Sequence, residues 1–569
     1  MHRPVTEPRR SLYYPYRIHP FVRPPELDGE APACPVAIVG AGPVGLTTAI
    51  VLAQHGIRSV VIEAEAQLSE GSRAIVLTRR SMEILQHAGV HQRFVEIGLT
   101  WSTGRSFYRG QEVYRMQMPV DEDSRFMPGT NLHQQLIEEY LVDAALASGR
   151  VDIRWQTKAI GLEHNDVDGD HATLLLDTPA GEYRLDAHWI VAADGGRSSL
   201  RRHLGLRFEG NAYSGRFVIT DIKADIGLPT ERLCHFDPAW NPGNNVLVHR
   251  QPNGIWRLDY RLPDDESPEQ ALEPRRLAER IDSILEMIGQ PVPWEIDWAT
   301  VYTANTLTLP DYRAGRVLFA GDAAHILPIF GVRGANTGFQ DAENLAWKLA
   351  LVESGAADVR LLDSYSHERV NAAREICAEG GRSTRFMSPP SAGYRLLRDA
   401  TLSLVLSQDW PKDLLHWRTS RPHEYTDSPL NTTDATDAYD GGVPPGATLA
   451  NVRLGQDDYL LDHLGSGFVV LAFVADDAQA RDAIDAFDAV DADGLPLELL
   501  LVGGGKPRTT EGRRRVRAIA DPDNRVAARC AATPGAAYLV RPDGHVCARW
   551  HALDSGKLSN ALARAVARH

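Results

Sequence analysis

The segment 36–45 reads Val-Ala-Ile-Val-Gly-Ala-Gly-Pro-Val-Gly and places three glycines directly after a short apolar run. The apolar run predicts a buried strand, and the apolar pattern that continues to Leu52 predicts a helix. A second apolar run, 59–62, ends at Glu63. Together these features predict a strand–helix–strand unit of about 30 residues.

The glycine pattern has the spacing GxGxxG, in which each glycine has its own physical role. Gly40 allows a tight turn, Gly42 lets the backbone approach a pyrophosphate, and Gly45 lets the helix pack closely against the strand. The start of the helix, at Pro43, presents free N–H groups and the positive end of the helix dipole to phosphates. Glu63 can accept hydrogen bonds from a ribose hydroxyl. The pattern therefore predicts a dinucleotide site and leaves FAD and NAD both open.

The bulk properties of the chain argue against several classes of protein. A length of 569 residues exceeds that of one ordinary domain, and the formal net charge of −15 disfavours a nucleic-acid binder. The longest apolar stretch, near 468–475, is far shorter than the ~20 residues that span a bilayer. The five cysteines form neither a CxxC pattern nor a metal-binding cluster, and the N-terminus lacks the apolar run of a signal peptide. We therefore expect a cytoplasmic protein with reduced thiols and no metal, nucleic-acid or membrane partner.

Changes of pattern along the chain predict its division into domains. The first 34 residues are rich in Pro, Arg and Tyr without a helix or strand period, whereas the pattern is regular from Pro35 onward. Alternating apolar and polar residues farther along predict a separate sheet. The predicted domains are an N-terminal arm (1–34), a dinucleotide-binding domain (35–205 and 300–390), a substrate-binding sheet domain (206–299 with part of 100–130), a helical segment and linker (391–444) and a C-terminal α/β domain (445–569).

Two further segments resemble motifs of one enzyme family. Residues 193–201 read Ala-Asp-Gly-Gly-Arg-Ser-Ser-Leu-Arg, and residues 315–325 read Gly-Arg-Val-Leu-Phe-Ala-Gly-Asp-Ala-Ala-His. They resemble the DGxxSxxR and GRVxLAGDAAH motifs of the aromatic-ring flavoprotein monooxygenases, the p-hydroxybenzoate and phenol hydroxylase group. The second likeness continues to Leu349 and is far more specific than GxGxxG alone. With the glycine-rich segment, the motifs cover about 35–390 in the order of that family.

The resemblance implies an α/β fold with three parts. A Rossmann-like, glutathione reductase-type FAD-binding domain would carry an inserted mixed β-sheet domain for the substrate. Residues 445–569 resemble the thioredoxin-like C-terminal α/β domain of phenol hydroxylase-type members, notably at 537–546. This block lacks CxxC, so we expect it to serve structure or formation of a homodimer rather than redox chemistry.

The resemblance also implies roles for individual residues. Asp322 would hydrogen-bond the ribityl chain of FAD, and Glu63 the adenosine ribose. Asp194 would lie near the pyrophosphate of FAD and NAD(P)H, and the residues before the helix at 337 would offer N–H groups to the flavin ring. The expected cofactor-binding residues are Gly40, Gly42, Pro43, Gly45, Glu63, Ala64, Arg73, Gln134, Asp194, Gly195, Asp322, Pro328, Gly334, Ala335 and Asn336.

The loop that lies beside the flavin in this family departs here from the usual pattern. Ile329 and Phe330 follow Pro328 where a second proline is usual, and Arg333 stands where many members have Gln. We expect these changes to alter the shape or charge of the pocket and to leave FAD binding intact.

The chemistry that the resemblance implies is hydroxylation of a small aromatic substrate, a phenol, with NAD(P)H and O2 through a flavin C4a-hydroperoxide. The sequence has no second strand–GxGxxG–helix pattern, so NAD(P)H would bind transiently to the FAD-binding domain. Two alternatives stay open. One is an oxidoreductase of the same fold that acts on a non-phenolic substrate, by epoxidation or another oxygenation. The other is a non-catalytic flavin-binding protein.

Three residues are candidates for catalysis. Tyr213 and Tyr260, from the predicted substrate sheet, could assist ionisation of a phenol. His325 ends the third motif and is the other candidate. By strand alternation, Tyr260 shares a face with Trp256, and Arg257 belongs to the opposite face. The sequence leaves open which of these faces lines the pocket.

Overall fold

The computed structural model describes residues 3–29, 31–71, 74–166, 169–328, 330–414, 421–433, 439–504 and 515–568. Within these ranges the chain forms two eight-stranded sheets, a five-stranded sheet and two small sheets, with helices packed between and around them. No helix of the described part combines the length and apolar character needed to cross a membrane.

The helices follow one another along the described chain with these bounds: α1 (Pro43–Gln54), α2 (Arg79–His87), α3 (His91–Ile97), α4 (Gln134–Ala147), α5 (Ser199–His203), α6 (Pro268–Ala271), α7 (Pro274–Met287), α8 (Gly334–Glu353), α9 (Leu361–Met387), α10 (Ala392–Val405), α11 (Asp477–Asp488), α12 (Arg525–Arg529) and α13 (Ser555–Ala565).

The strands have these bounds: β1 (Cys34–Val39), β2 (Ser59–Ile62), β3 (Val76–Thr78), β4 (Leu99–Trp101), β5 (Thr103–Tyr108), β6 (Gln111–Gln117), β7 (Gly129–Asn131), β8 (Val151–Arg154), β9 (Lys158–Glu163), β10 (Ala172–Thr178), β11 (Gly181–Ala192), β12 (Glu209–Ala224), β13 (Arg232–Phe236), β14 (Asn245–Arg250), β15 (Ile255–Arg261), β16 (Trp294–Thr308), β17 (Arg313–Ala314), β18 (Val317–Phe319), β19 (His325–Ile326), β20 (Arg453–Gly455), β21 (Asp458–Tyr459), β22 (Phe468–Val474), β23 (Leu497–Gly503), β24 (Arg515–Ile519), β25 (Ala537–Val540) and β26 (Val546–Trp550).

The first large sheet contains the strand–helix–strand unit predicted around the glycine-rich segment, and we call it the nucleotide sheet. Its strand order is β17-β18-β11-β1-β2-β8, with β10 and β9 added beside β11, and the strands from β18 to β8 are parallel. α1 lies on it and contacts both α4 and α8. In register, Val39 pairs with Ala192 and Ala192 with Phe319, so the carboxyl ends of three strands lie side by side.

The second large sheet, which we call the substrate sheet, has the order β19-β16-β12-β15-β14-β13-β5-β6. β5 and β6 come from the part of the chain between 100 and 130 and join the sheet through a parallel pairing of β5 with β13. One face packs on α7 in an apolar cluster that includes Trp256, Leu258 and Ile281. The other face packs against α9, α10 and the loop after Pro328.

The strand β16 crosses the boundary that the sequence predicts at residue 299. It runs unbroken from Trp294 to Thr308, and β19 pairs with its end. The boundary is invisible in the sequence because the backbone stays extended while its neighbours change from one part of the molecule to the other. The substrate sheet is therefore continuous with the segment that carries the third motif.

The N-terminal arm lies across both large sheets instead of fraying into solvent. The backbone N–H of Leu12 and the Ser11 hydroxyl donate to Asp297 Oδ1, at 2.5 and 2.7 Å, and Arg9 forms an ion pair with the same carboxylate. Farther along, the Tyr16 hydroxyl donates to the carbonyl of Ser69 at 3.0 Å. The arm thus joins the substrate sheet to the nucleotide-sheet part of the molecule.

The C-terminal block forms a mixed sheet with the order β24-β23-β22-β25-β26, in which β22, β23 and β24 are parallel and β25 and β26 antiparallel. α11 and α13 pack on one face with Trp347 of α8 in the same apolar cluster. Its assignment as thioredoxin-like stays a prediction.

A buried ionic network fixes the C-terminal block to the first part of the chain. Arg541 pairs with Glu368 of α9 at 2.6 Å, and Lys348 of α8 pairs with the same carboxylate at 2.7 Å. Asp543 accepts a hydrogen bond from the indole N–H of Trp347 at 3.1 Å. These side chains are almost wholly inaccessible to solvent, so the two parts share one interior.

Candidate active site

The three sequence motifs meet at the carboxyl ends of the parallel strands of the nucleotide sheet. A Cβ atom on Gly40 would lie 2.4 Å from the carbonyl oxygen of Ala193, and one on Gly338 would lie 2.5 Å from Val44 Cγ2. A Cβ on Gly321 would also contact Val44, at 2.9 Å. In open parallel sheets, ligands bind at this end of the strands. The motifs, far apart in the chain, therefore form one site.

The glycine-rich turn has the geometry that its spacing predicts. Gly40 has a φ of 109°, a conformation that L side chains rarely adopt. Gly42 is the extended N-cap of α1, and Pro43 occupies the first turn. Apart from the chain neighbours of Gly42, no atom of the described residues lies within 4 Å of a Cβ built on it. A Cβ on Gly45 would lie 2.1 Å from the Gly40 carbonyl oxygen. Gly40 and Gly45 thus permit the turn and the packing, and Gly42 leaves open space in front of the helix.

Glu63, at the end of β2, fixes the glycine-rich turn in addition to facing the site. Its Oε2 accepts a hydrogen bond from the backbone N–H of Ala41 at 2.8 Å, and its Oε1 accepts one from Glu65 at 2.9 Å. Burial raises the pKa of this carboxyl above its ordinary value. Ala64 follows in the same turn and is partly exposed. The carboxylate therefore connects β2 with the turn after β1, a role that the sequence pattern does not reveal.

Asp194 has one bound and one unbound carboxylate oxygen. Its Oδ2 accepts hydrogen bonds from the N–H and hydroxyl of Ser199, at 2.7 and 3.0 Å, and so caps α5. Its Oδ1 is buried and has no hydrogen-bond partner in the described chain. Gly195 follows with a φ of 75°. Asp322, in the turn after β18, is exposed at the same end of the sheet.

Gln134 lies at the first turn of α4, in a group of polar side chains near Glu63. Its Nε2 donates to Glu138 Oε1 at 2.8 Å, and its Oε1 accepts from the N–H of Ala74 at 3.2 Å. Burial raises the pKa of Glu138 to about 7, and the Glu63 carboxylate adds to this rise. Arg73, the other basic candidate in this region, lies outside the described residues.

The helix α8 begins at Gly334, three residues earlier than the sequence pattern indicates. The first hydrogen bond of the helix joins the Thr337 N–H to the carbonyl of Arg333 at 2.9 Å. The N–H groups of Gly334, Ala335 and Asn336 therefore precede the ladder and are oriented as donors at the helix N-terminus. The N-terminal end of a helix stabilises negative charge.

The side chain of Asn336 has a structural role that the sequence does not reveal. Its Oδ1 accepts from the Thr78 N–H at 2.8 Å and from the Ser81 hydroxyl at 2.6 Å, and its Nδ2 donates to the Val76 and Val332 carbonyls at 2.9 and 2.7 Å. Asn336 thus ties the start of α8 to β3 and α2, and only its backbone N–H faces the site.

The loop before α8 packs against α9. A Cβ on Gly380 would lie 2.4 Å from Pro328 Cγ, so the glycine permits this contact. Arg333, expected to change the charge of the pocket, is 3% exposed and lies 3.6 Å from Glu379. Burial lowers its pKa, and the Glu379 carboxylate opposes that effect. The charge of Arg333 is therefore partly balanced within the loop.

The structure separates the three candidates for catalysis. His325 is fully buried, and its Nε2 lies 2.7 Å from Asp341 Oδ2, which makes it part of the interior. Tyr260 is 1% exposed on the face covered by α7, where its ring contacts Trp240. Tyr213 lies near the loop: its hydroxyl would be 3.0 Å from a Cβ on Gly381 of α9. This placement favours structural roles for His325 and Tyr260 and leaves Tyr213 beside α9.

The opposite face of β15 is the one turned toward the nucleotide sheet. Arg257 forms a buried bidentate ion pair with Asp221 of β12, at 2.8 Å for both contacts. Phe217, also on β12, packs with Phe330 of the loop after Pro328. This face therefore combines apolar rings with charged residues of β12 and β15. Sequence alternation identified the two faces but not which one is turned toward the loop before α8.

Comparisons with known proteins agree with this architecture. Residues 33–379 match the family model described as FAD binding domain. The chain is 33% identical over 385 residues to a 3-(3-hydroxy-phenyl)propionate/3-hydroxycinnamic acid hydroxylase of Mycobacterium avium, covering 65% of this chain and 64%, just under two thirds, of that protein. A protein of the same name from Klebsiella pneumoniae is 30% identical over 77% of this chain and 78% of its own length.

A solved structure extends the likeness to nearly the whole fold. The structure of aklavinone-11 hydroxylase, a ternary complex with FAD and aklavinone, has a TM-score of 0.75 and 26% identity. The match covers 95% of this chain and all of that one. The agreement therefore includes the substrate sheet and the C-terminal block as well as the nucleotide sheet.

The residues of the site fit FAD. The open space before Gly42 and the N-terminus of α1 suit a pyrophosphate, and the orphaned Asp194 Oδ1 can accept a hydrogen bond. The first N–H groups of α8 suit the electron-rich edge of a reduced ring. The chain therefore belongs to the FAD-binding-domain family of these hydroxylases, and FAD is its cofactor.

Proposed function

We propose that the chain is a monooxygenase that hydroxylates a small phenolic substrate, with NAD(P)H as electron donor and O2 as oxygen donor. The observation that carries the proposal is that the face of the substrate sheet with Phe217, Asp221 and Arg257 is turned toward the loop that leads into α8. A substrate on this face, in what we call the cleft, would lie beside the FAD site. The phenolic acids in the names of the relatives, 3-(3-hydroxy-phenyl)propionate and 3-hydroxycinnamic acid, support a phenol as the substrate.

The bound FAD supplies hydride acceptance and oxygen activation. The protein's own task begins with holding it: Glu63, Asp194 and the start of α1 receive the adenosine and pyrophosphate part, and Asp322 the ribityl chain. The first N–H groups of α8 stabilise negative charge on the reduced ring, an effect of ~0.3–1 kcal/mol or more when partly buried.

The second task of the protein is to exclude water from the reacting atoms. Phe217, Phe330 and Leu247 form one buried apolar cluster with residues of α9 and α10. A dry cleft protects oxygen-activating chemistry from side reactions with water and strengthens electrostatic contacts inside it. Tyr213, at the edge near Gly381, is placed to hydrogen-bond a substrate that enters the cleft.

NAD(P)H has no separate nucleotide domain in this sequence, so we propose that it binds transiently over the FAD-binding domain. We also propose a cytoplasmic location and a homodimer. The five cysteines are free thiols, which fits a reducing compartment. Sedimentation of the purified protein measures the oligomeric state directly.

The test of the function is oxidation of NADH or NADPH by the FAD-loaded protein, measured with and without a panel of phenols. We expect a phenol such as 3-(3-hydroxyphenyl)propionate to accelerate oxidation and to yield an oxygenated product. Non-aromatic hydroxy acids serve as the matched control and should leave the rate at its background value. Oxidation that stays at background with every phenol, in a protein that carries FAD, would contradict the proposal.

A further inference from the structure

The cleft-facing side of the substrate sheet carries buried polar side chains as well as apolar rings. Asp259 of β15 pairs in register with Leu247 of β14, so the two side chains share a face. Leu247 belongs to the apolar cluster that contains Phe330, next to α8. Asp259 therefore lies on the side of the sheet that faces the FAD-binding domain, two residues from the Arg257–Asp221 pair.

Asp259 is a buried carboxyl group, one oxygen of which has no hydrogen-bond partner among the described residues. It is 8% exposed, and its Oδ1 is enclosed and accepts no hydrogen bond within the described residues. The nearest cation on its own strand, Arg257, is already held by both oxygens of Asp221. Burial raises the pKa of Asp259 to about 7, and Arg257 and Arg232 limit that rise.

A second unpartnered polar group lies diagonally across from Asp259. His249 of β14 is 5% exposed, and its Nδ1 also lacks a partner in the described chain. In register, His249 stands between Arg257 and Arg232. Burial and these two cations lower the pKa of His249 well below its ordinary range, so it is neutral. The polar groups therefore form a row across three strands, in which Asp259 is the acceptor.

A structural role does not account for this row. Buried polar groups in folded proteins nearly always find hydrogen-bond partners, and an unpartnered carboxyl destabilises the fold. The opposite face of the same strands packs Trp256 and Leu258 against apolar residues of α7, and among the described residues its unpartnered groups are hydroxyls such as those of Thr220 and Tyr260. The cleft-facing side differs in that its unpartnered group is a carboxyl oxygen, which is able to accept a proton.

From this placement we propose that Asp259 binds the phenolic hydroxyl of the substrate and accepts its proton, with His249 as a neighbouring hydrogen-bond partner. The inference rests on the proposed function and names the residue that activates the phenol. In the step, the O–H bond of the phenol breaks, an Oδ1–H bond forms on Asp259, and the electron pair stays on the phenolate oxygen. The cations of Arg232 and Arg257 stabilise the resulting anion.

The chemistry requires such an acceptor because a phenolate is far richer in electrons than a phenol and reacts faster with an electrophilic oxygen. A base is most effective when its pKa lies near the operating pH, and the pKa of Asp259 meets this condition. A base of this kind contributes typically ~10²–10⁴-fold to the rate.

The first experiment measures ionisation of a bound phenol in the FAD-loaded protein, without turnover. 4-Nitrophenol is the probe because its anion is yellow. We expect the unmodified protein to bind it largely as the anion near neutral pH, and Asp259→Asn to bind it largely as the neutral phenol. Asp259→Glu, which keeps a carboxyl group, should recover part of the anion band. An equal anion fraction in Asp259→Asn and in the unmodified protein would overturn the proposal.

The second experiment measures turnover with 3-(3-hydroxyphenyl)propionate across the pH range. Asp259→Asn should lower kcat by about 100-fold or more and remove the rise of kcat with pH around 7, in a protein that still carries its full content of FAD. Thr220→Val is the matched control because Thr220 is a buried, unpartnered side chain on β12 that faces the opposite side of the sheet. It should leave the pH profile intact.

The two experiments separate failure of the inference from failure of the function. An unmodified protein that ionises 4-nitrophenol but hydroxylates no phenol would contradict the proposed function alone. A protein that hydroxylates phenols with an unaltered pH profile in Asp259→Asn would contradict the inference alone.

Discussion

At the scale of single residues, the glycines of the first turn differ in what surrounds them. A methyl group on Gly45 would collide with backbone, whereas one on Gly42 would lie in open space as far as the described residues extend. Gly42 is therefore dispensable for the fold and is needed only for the ligand. Gly45 is thus needed for stability and Gly42 for ligand binding, a difference that the GxGxxG pattern alone does not reveal.

Replacement of Gly42 by Ala tests this distinction. We expect the thermal midpoint of the FAD-free protein to change little, since the N-cap is already extended, and the affinity for FAD to fall about tenfold or more. Fluorescence titration with FAD measures the affinity. Gly227→Ala, at an exposed glycine far from the site with an ordinary φ, is the control and should leave FAD affinity unchanged. A tight-binding Gly42→Ala protein would contradict the assignment of the pyrophosphate to this space.

The pH dependence of stability provides a second prediction at this scale. The pKa of Asp259 is about 7 in the folded protein and lower in the unfolded chain. The contribution of Asp259 to the free energy of unfolding is therefore fully present below about pH 4 and is lost as the pH rises to about 7. At 1.36 kcal/mol per pH unit, the loss reaches about 4 kcal/mol at most. Asp259→Asn should therefore unfold at a higher temperature than the unmodified protein at pH 8, and at nearly the same temperature at pH 4. A lower thermal midpoint for Asp259→Asn than for the unmodified protein at pH 8 would show that a partner stabilises the ionised carboxyl of Asp259 in the folded protein.

At the scale of elements, the strand–helix–strand unit and the two faces of β15 followed directly from the sequence, because apolar periodicity reports local burial. The start of α8 did not. Three residues with poor helix signals, Gly334 to Asn336, become helical because Asn336 is held by β3 and α2, which are distant in the chain. Likewise, the sequence did not reveal that His325 of β19 bonds to Asp341, because this partner lies on α8 and follows 16 positions later.

The position of α8 therefore depends on the Asn336 side chain. Asn336→Ala leaves several buried groups around Thr78, Ser81 and Val76 without partners, at about 1–3 kcal/mol for an unsatisfied group. We expect the free energy of unfolding to fall by a few kcal/mol and FAD to dissociate more readily. Asn211→Ala, on the partly exposed end of β12, is a control of the same chemistry. Unchanged denaturant midpoints for Asn336→Ala would show that the helix start is held in another way.

At the scale of the whole molecule, the C-terminal block behaves as part of the main body. Trp347 and Leu351 of α8 share an apolar cluster with β22 and α13, and the Arg541–Glu368–Lys348 network lies inside the contact. Removal of one member of a buried ion pair leaves an uncompensated charge, which costs about 3–5 kcal/mol. The sequence located this block but not its docking, because the pairing residues Arg541 and Glu368 are 173 positions apart.

A chain truncated before residue 445 would expose the apolar side of α8 together with Glu368 and Lys348. We expect this fragment to aggregate and to retain no FAD, as judged by gel filtration and by the flavin absorbance of the eluted protein. The buried pair itself can be tested in the full chain: Glu368→Gln should lower the thermal midpoint much more than Asp358→Asn, a change of the same chemistry at an exposed ion pair. A soluble, yellow truncated protein would refute the shared interior.

The arm before β1 has a consequence for how ligands enter. The arm contacts Asp297 of the substrate sheet and the Ser69 carbonyl near the nucleotide sheet. It therefore holds the two sheets together on one side of the molecule. We therefore expect relative motion of the two sheets to be restrained on the side where the arm lies. The arm would then influence how a ligand enters, although it contains none of the residues proposed to act on the substrate.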